Sequence, residues 1–118
     1  MIHSGMSKGD EIFLNSIIDI IDKNITDTDL NVEKLADLMK LSRSSLHRKL
    51  KAVTDSSPVD FIRLVRMQKA AQIIQDGEHR INEVCFLVGI NSPSYFTKLF
   101  SSQYGMTPKE FERQQKGK

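Results

Sequence analysis

The sequence predicts an all-α protein of two similar halves joined by one long helix, about seven helices in total. Three observations predict it. Apolar residues recur at intervals of three and four along successive segments, and strand-like alternation is absent. Helix-capping residues precede several of these segments, and each of the 3 prolines directly follows a Ser or Thr cap, where its missing N–H costs nothing. The second half of the chain also repeats the first.

Taken in order, residues 1–9 read as a polar, flexible leader without a hydrophobic signal core. Asp10 caps helix 1, which runs to Asn24 with Leu14, Ile17, Ile18, Ile21 and Ile25 at helical spacing. Asn31 caps helix 2 over Val32–Met39, with Leu35, Ala36 and Leu38 expected inward. Lys40-Leu41 forms a tight turn, and Ser42 caps helix 3, Arg43 to about Val53, inward through Leu46, Leu50 and Val53. Ser57 caps the long helix 4, which starts at Pro58, ends near Asp76 and stops at Gly77. It carries one apolar stripe of Phe61, Leu64, Met67, Ala71 and Ile74 and a second of Ile62, Val65 and Ile73, as a connector packed on two sides requires. Helix 5 spans Ile81–Val88. Ser92 caps helix 6, Pro93 to about Tyr104, with Gly105 as its stop, and Thr107-Pro108 opens a last helix through Gln115, followed by a frayed tail. These elements group as 10–57, 58–77 and 78–118 after the leader.

A shift of 50 residues aligns Ser42 with Ser92, Leu46 with Phe96, Arg48 with Lys98, Leu50 with Phe100, Pro58 with Pro108 and Phe61 with Phe111. Before the turn the shift is 49, pairing Leu35, Ala36 and Leu38 with Val84, Cys85 and Leu87. Each copy is a short helix, a tight turn, a capped second helix and a Pro-led helix, with a small residue (Ala36 or Cys85) where two helices cross closely. This is helix-turn-helix grammar. A solenoid of helix pairs would need more copies and no long connector.

Charge supports a polyanion partner. Residues 1–40 carry four basic against eight acidic side chains, whereas residues 41–118 carry 13 against seven. A solvated surface is the ordinary reading of such a face standing alone, but here two faces share one register. In a helix-turn-helix the second helix enters the major groove. With Leu46 and Leu50 inward, helix 3 presents Ser44, His47, Arg48 and Lys51. Arg48 suits a bidentate guanine contact, Ser44 and His47 suit neighbouring bases, and Arg43, Lys49 and Lys51 suit phosphates. Helix 6 presents Ser94, Thr97, Lys98 and Ser101, with Tyr95 beside them. Arg63 and Arg66 on helix 4 suit phosphates or internal ion pairs. The alternative is a helical protein-interaction module, which calls for an exposed apolar groove instead of basic faces.

Other classes lack support. The 1 cysteine, Cys85, cannot form an internal disulfide and reads as a buried core residue. No His/Cys spacing suits zinc, no cofactor is implied, and no apolar run reaches the roughly 20 residues of a membrane span. No nucleophile–base pair or phosphate loop suggests an enzyme. Phe96, Phe100 and Phe111 read as core, not as a base-stacking platform.

The segments LADLMKLSRSSLHRKLKAVTDSSPVDFIRLVRMQKAA and INEVCFLVGINSPSYFTKLFSSQYGMTPKEF resemble the DNA-binding domain of the AraC/XylS family of bacterial transcription regulators over roughly Leu30–Arg113. The second carries the family signature in Gly89, Ser94-Tyr95-Phe96, Phe100, Gly105 and Thr107-Pro108. The resemblance implies a homeodomain-like arrangement of two helix-turn-helix subdomains on a linker helix, entering two adjacent major-groove segments of double-stranded DNA. It places base contacts on Ser44, His47, Arg48, Ser94, Tyr95, Thr97 and Lys98, and implies RNA polymerase as a further partner. Cys85 stands where the family has Ala, Ile90 where it has Phe, and Asp55 at the position matched by Gly105, so the end of helix 3 is expected to be shaped differently. Helix 1 and the following segments resemble the C-terminal output module of hybrid two-component sensor-regulators. That implies a monomeric cytoplasmic fragment of a dimeric, inner-membrane-anchored phosphorelay protein controlling nutrient or polysaccharide-use genes.

Overall fold

A computed structural model describes residues 6–117. Among them are seven helices and no strands: α1 (Lys8–Lys23), α2 (Val32–Met39), α3 (Arg43–Thr54), α4 (Pro58–Asp76), α5 (Ile81–Leu87), α6 (Pro93–Tyr104) and α7 (Pro108–Lys116). None is long and apolar enough to cross a membrane.

The helix starts follow from capping chemistry. Asn31 Oδ1 accepts from the Lys34 N–H at 2.9 Å, Ser42 Oγ from the Ser45 N–H at 3.1 Å, and Ser57 Oγ from the Asp60 N–H at 3.2 Å. Thr107 and Glu110 close a reciprocal box, side chain to backbone in both directions, at 3.1 and 2.9 Å. One start differs from expectation. Ser7, not Asp10, caps α1, accepting from the Asp10 N–H at 3.1 Å, so Asp10 lies inside the first turn. Gly9 is tolerated there, and the leader shortens accordingly; residues 1–5 of it lie outside the described residues.

The chain divides into two compact units. The first comprises residues up to 24 together with 29–62. Its α1, α2 and α3 pack mutually around Leu14, Ile17, Ile21, Leu35, Ala36, Leu46 and Leu50, all buried. Each large aliphatic side chain in such a core contributes about 1.5–3 kcal/mol. Leu38, expected inward, is 48% exposed, because Leu35, Ala36 and Met39 form the inward arc of α2. Its repeat partner Leu87 is likewise exposed, at 36%.

The second unit comprises residues 25–28 and 63–118. Val84, Cys85, Val88, Phe96 and Phe100 are buried, and an aromatic cluster joins α6 to α7. Phe100 lies 4.7 Å from Tyr104 and 5.5 Å from Phe111 between ring centroids, so these rings are occupied by the core.

The two turns that follow α2 and α5 have the same form. Lys40 (φ 59°) and Gly89 (φ 79°) both adopt the left-handed region. The next N–H bonds back in each case, Leu41 to the Ala36 carbonyl at 2.9 Å and Ile90 to the Cys85 carbonyl at 3.0 Å. The ends of α3 and α6 also match. Asp55 sits at φ 63°, ψ 14° and Gly105 at φ 72°, ψ 12°, so the expected difference in shape is absent. Aspartate reaches this conformation more readily than most side chains.

Candidate nucleic-acid interface

In the first unit, burial of Leu46 and Leu50 on one side of α3 turns Ser44, His47, Arg48 and Lys51 outward, and all four are exposed. The face is pre-arranged by short polar links. Arg48 Nη2 lies 3.5 Å from Ser45 Oγ, and Ser42 Oγ donates to Ser45 Oγ at 3.0 Å. Lys51 Nζ donates to the Asp55 carbonyl at 3.2 Å. Arg43 pairs with Glu33 at 3.8 Å, but both side chains are about 70% exposed, so the pair is weak and easily exchanged for a phosphate. Lys49 leans away from this face, with Nζ 5.5 Å from the centroid of the Phe13 ring.

A cleft beside the face is lined by Val32, Arg43, Ser44, His47, Pro58 and Val59. Val59 is 44% exposed there. Sequence reasoning missed it as a residue lining this cleft; the Pro-led start of α4 was the available signal.

In the second unit, Phe96 and Phe100 are buried, which exposes Ser94, Tyr95 and Lys98 and leaves Thr97 and Ser101 half-buried. Ser92 Oγ accepts from the Tyr95 N–H at 3.3 Å and lies 3.2 Å from Ser94 Oγ, which organises the first turn of α6. This face carries hydroxyls and one lysine, where α3 carries a histidine, an arginine and a lysine.

Of the two α4 arginines, Arg63 is exposed, whereas Arg66 is 4% exposed and is not available to phosphate. Its guanidinium donates to the carbonyls of Ile25 (2.9 Å), Asp27 (2.8 Å) and Val88. Burial lowers its pKa and the Asp27 carboxylate opposes that effect. A hydrophilic side chain between two apolar stripes gave no sequence signal of inward aim.

Cys85 is buried, its thiol donates to the Ile90 carbonyl at 2.9 Å, and burial raises its pKa, all of which disfavour a reactive thiolate. The described residues contain no His/Cys/Asp/Glu group able to hold a metal ion. The large apolar side chains that stand exposed, among them Ile12, Leu38, Val59, Phe86 and Tyr95, come from five different helices.

Residues 35–114 match the sequence profile of a helix-turn-helix domain. Among curated proteins, Histidine kinase P4 of Formosa agariphila is 30% identical over 107 residues, covering 91% of this chain and 8% of that protein. The chain spans between 37% and 50% of the length of several other curated transcription regulators. Among solved structures, a DNA-binding transcriptional dual regulator from Escherichia coli K-12 aligns with a TM-score of 0.78 at 29% identity, over 86% of this chain and 90% of that one. The C-terminal domain of AraT, a response regulator from Geobacillus stearothermophilus, aligns with a TM-score of 0.76 at 27% identity, over 85% and 83%. With its paired helix-turn-helix units and two outward-facing second helices, the chain belongs to this helix-turn-helix family as a DNA-binding domain of the AraC type.

Proposed function

We propose that the chain reads two adjacent major-groove segments of one duplex, one with α3 and one with α6. The observation that carries this reading is the shared register of the two faces. Arg48 and Lys98 stand at equivalent repeat positions, each exposed and each flanked by buried core residues of its own helix. Ser44, His47 and Arg48 take base edges in one segment, and Ser94, Tyr95, Thr97 and Lys98 in the other. Arg43, Lys51 and Arg63 take phosphates, Ser101 serves at the margin, and Lys49, turned toward Phe13, takes none. Selection of bound sites from random duplex DNA tests the reading. Two short motifs about one helical turn apart support it, and recovery of one motif or none contradicts it. Affinity should also fall steeply with salt, since phosphate contacts release counterions.

We further infer that the chain is the output domain of a two-component regulator. This rests on its similarity to Histidine kinase P4 and to the C-terminal domain of a response regulator. Phosphorylation of the full-length protein should change occupancy of the selected site; unchanged occupancy counts against it.

A further inference from the structure

Arg66 is the one charged side chain buried among the described residues, and its surroundings are specific. Nη1 donates to the Ile25 and Val88 carbonyls, and Nη2 donates to the Asp27 carbonyl. Two chain segments of the second unit therefore meet at one guanidinium, 25–28 on one side and the end of α5 on the other. A planar fork with five N–H donors can serve three carbonyls at once, which a lysine ammonium on a flexible stem cannot do with the same geometry.

Gly89 completes the arrangement. It follows Val88, stands at φ 79°, and a Cβ built there would overlap both the Arg66 guanidinium and the Ile25 carbonyl. The turn is thus closed around the arginine. Pro93, the first residue of α6, comes only four residues after Gly89, and Ser94 and Tyr95 follow at once. The carbonyl that Arg66 holds is therefore at the root of the reading helix.

We propose that Arg66 is a positioning residue for base reading by α6: it touches no DNA, but by tying Val88 to the 25–28 segment it sets the pose in which Ser94, Tyr95 and Lys98 meet the groove. Gly89 is its obligate companion, because any side chain there displaces the guanidinium. The inference rests on the DNA reading proposed above.

The test uses the full chain and a duplex selected with it, together with a set of single base-pair variants of that duplex. Arg48→Ala and Lys98→Ala first assign which base pairs each helix reads. Arg66→Lys, Arg66→Met and Gly89→Ala are then measured against the whole set, with the folded fraction of each followed by circular dichroism at the assay temperature. The expected result is a loss of about tenfold in discrimination at the base pairs assigned to α6, with the preferences assigned to α3 retained. A purely structural role would weaken binding to every duplex by the same factor and leave all ratios unchanged; that pattern overturns the inference. Because ratios report only folded molecules, partial unfolding does not blur the outcome. If Arg66→Met fails to fold, Arg66→Lys and Gly89→Ala carry the same readout. Absence of any sequence preference in the unmodified chain would instead overturn the DNA reading itself.

Discussion

Lys40 and Gly89 occupy the same place in two turns of the same shape, both left-handed and both closed by the same backward hydrogen bond. At Lys40 the demand is conformational alone: the side chain is exposed and the left-handed backbone costs about 1–2 kcal/mol relative to an ordinary conformation. At Gly89 the demand is also one of space, because Arg66 and the Ile25 carbonyl fill the volume a Cβ would take. The repeat thus preserves backbone form while each unit solves its packing separately. The outward faces of the two second helices diverge in the same way, with charge concentrated on α3 and hydroxyls on α6.

The two turns should respond most unequally to substitution. Gly89→Ala should destabilise the chain by about 3 kcal/mol, combining left-handed strain with disturbed buried hydrogen bonds. Lys40→Ala should change stability by no more than about 0.5 kcal/mol, since Lys already bears the strain. Denaturant midpoints measure both, and equal losses would contradict the steric demand at Gly89. On the outward faces of α3 and α6, Arg48→Ala should cost about 1–3 kcal/mol of discrimination at one base position, and Lys98→Ala less, because a flexible ammonium lacks the rigid planar fork that fixes an arginine against a base edge. Binding to base-substituted duplexes checks the order; a larger effect at Lys98 would reverse the assignment of the charged face.

Smaller effects sharpen the contrast. Lys40→Gly should stabilise by about 0.5–1 kcal/mol, the relieved strain less the added chain entropy. Asp55→Gly should gain less, because Asp tolerates this region and Lys51 Nζ already contacts its carbonyl and, at 3.7 Å, its carboxylate. Thermal melts of the two variants give the comparison, and destabilisation by Lys40→Gly would count against it. The capping box supplies the smallest effect. Hydrogen bonds from the Thr107 backbone and side chain, then the nearby Arg113, hold the Glu110 pKa below its ordinary 4.5. A depressed carboxylate pKa adds stability above the unfolded value and loses it as pH falls through the folded value. Melting temperature should therefore drop on acidification below about pH 4.5 partly through this group, and Glu110→Gln should flatten that part of the profile. An unchanged profile would remove Glu110 from the account.

Much of this was legible in the sequence because capping and periodicity are local. Asn31, Ser42, Ser57, Ser92 and Thr107 announce their helices, and the outward faces of α3 and α6 follow once Leu46, Leu50, Phe96 and Phe100 are taken as core. What escaped depends on contacts remote in sequence. Arg66 looks like any helix-surface arginine until residues 25–28 and 88 are brought to it. Leu38 looks inward until the neighbouring Met39 is seen to hold that place. Asp55 looked like a departure because residue type was read for shape, and the backbone kept the shape regardless.

The most direct test measures the affinities of the unmodified chain, Arg48→Ala, Lys98→Ala and the double variant for every single base-pair substitution of a selected duplex. Two reading helices predict that the variants lose discrimination at separate, non-overlapping positions and that their effects add. Loss at the same positions, or at none, would contradict the claim that α3 and α6 each read DNA.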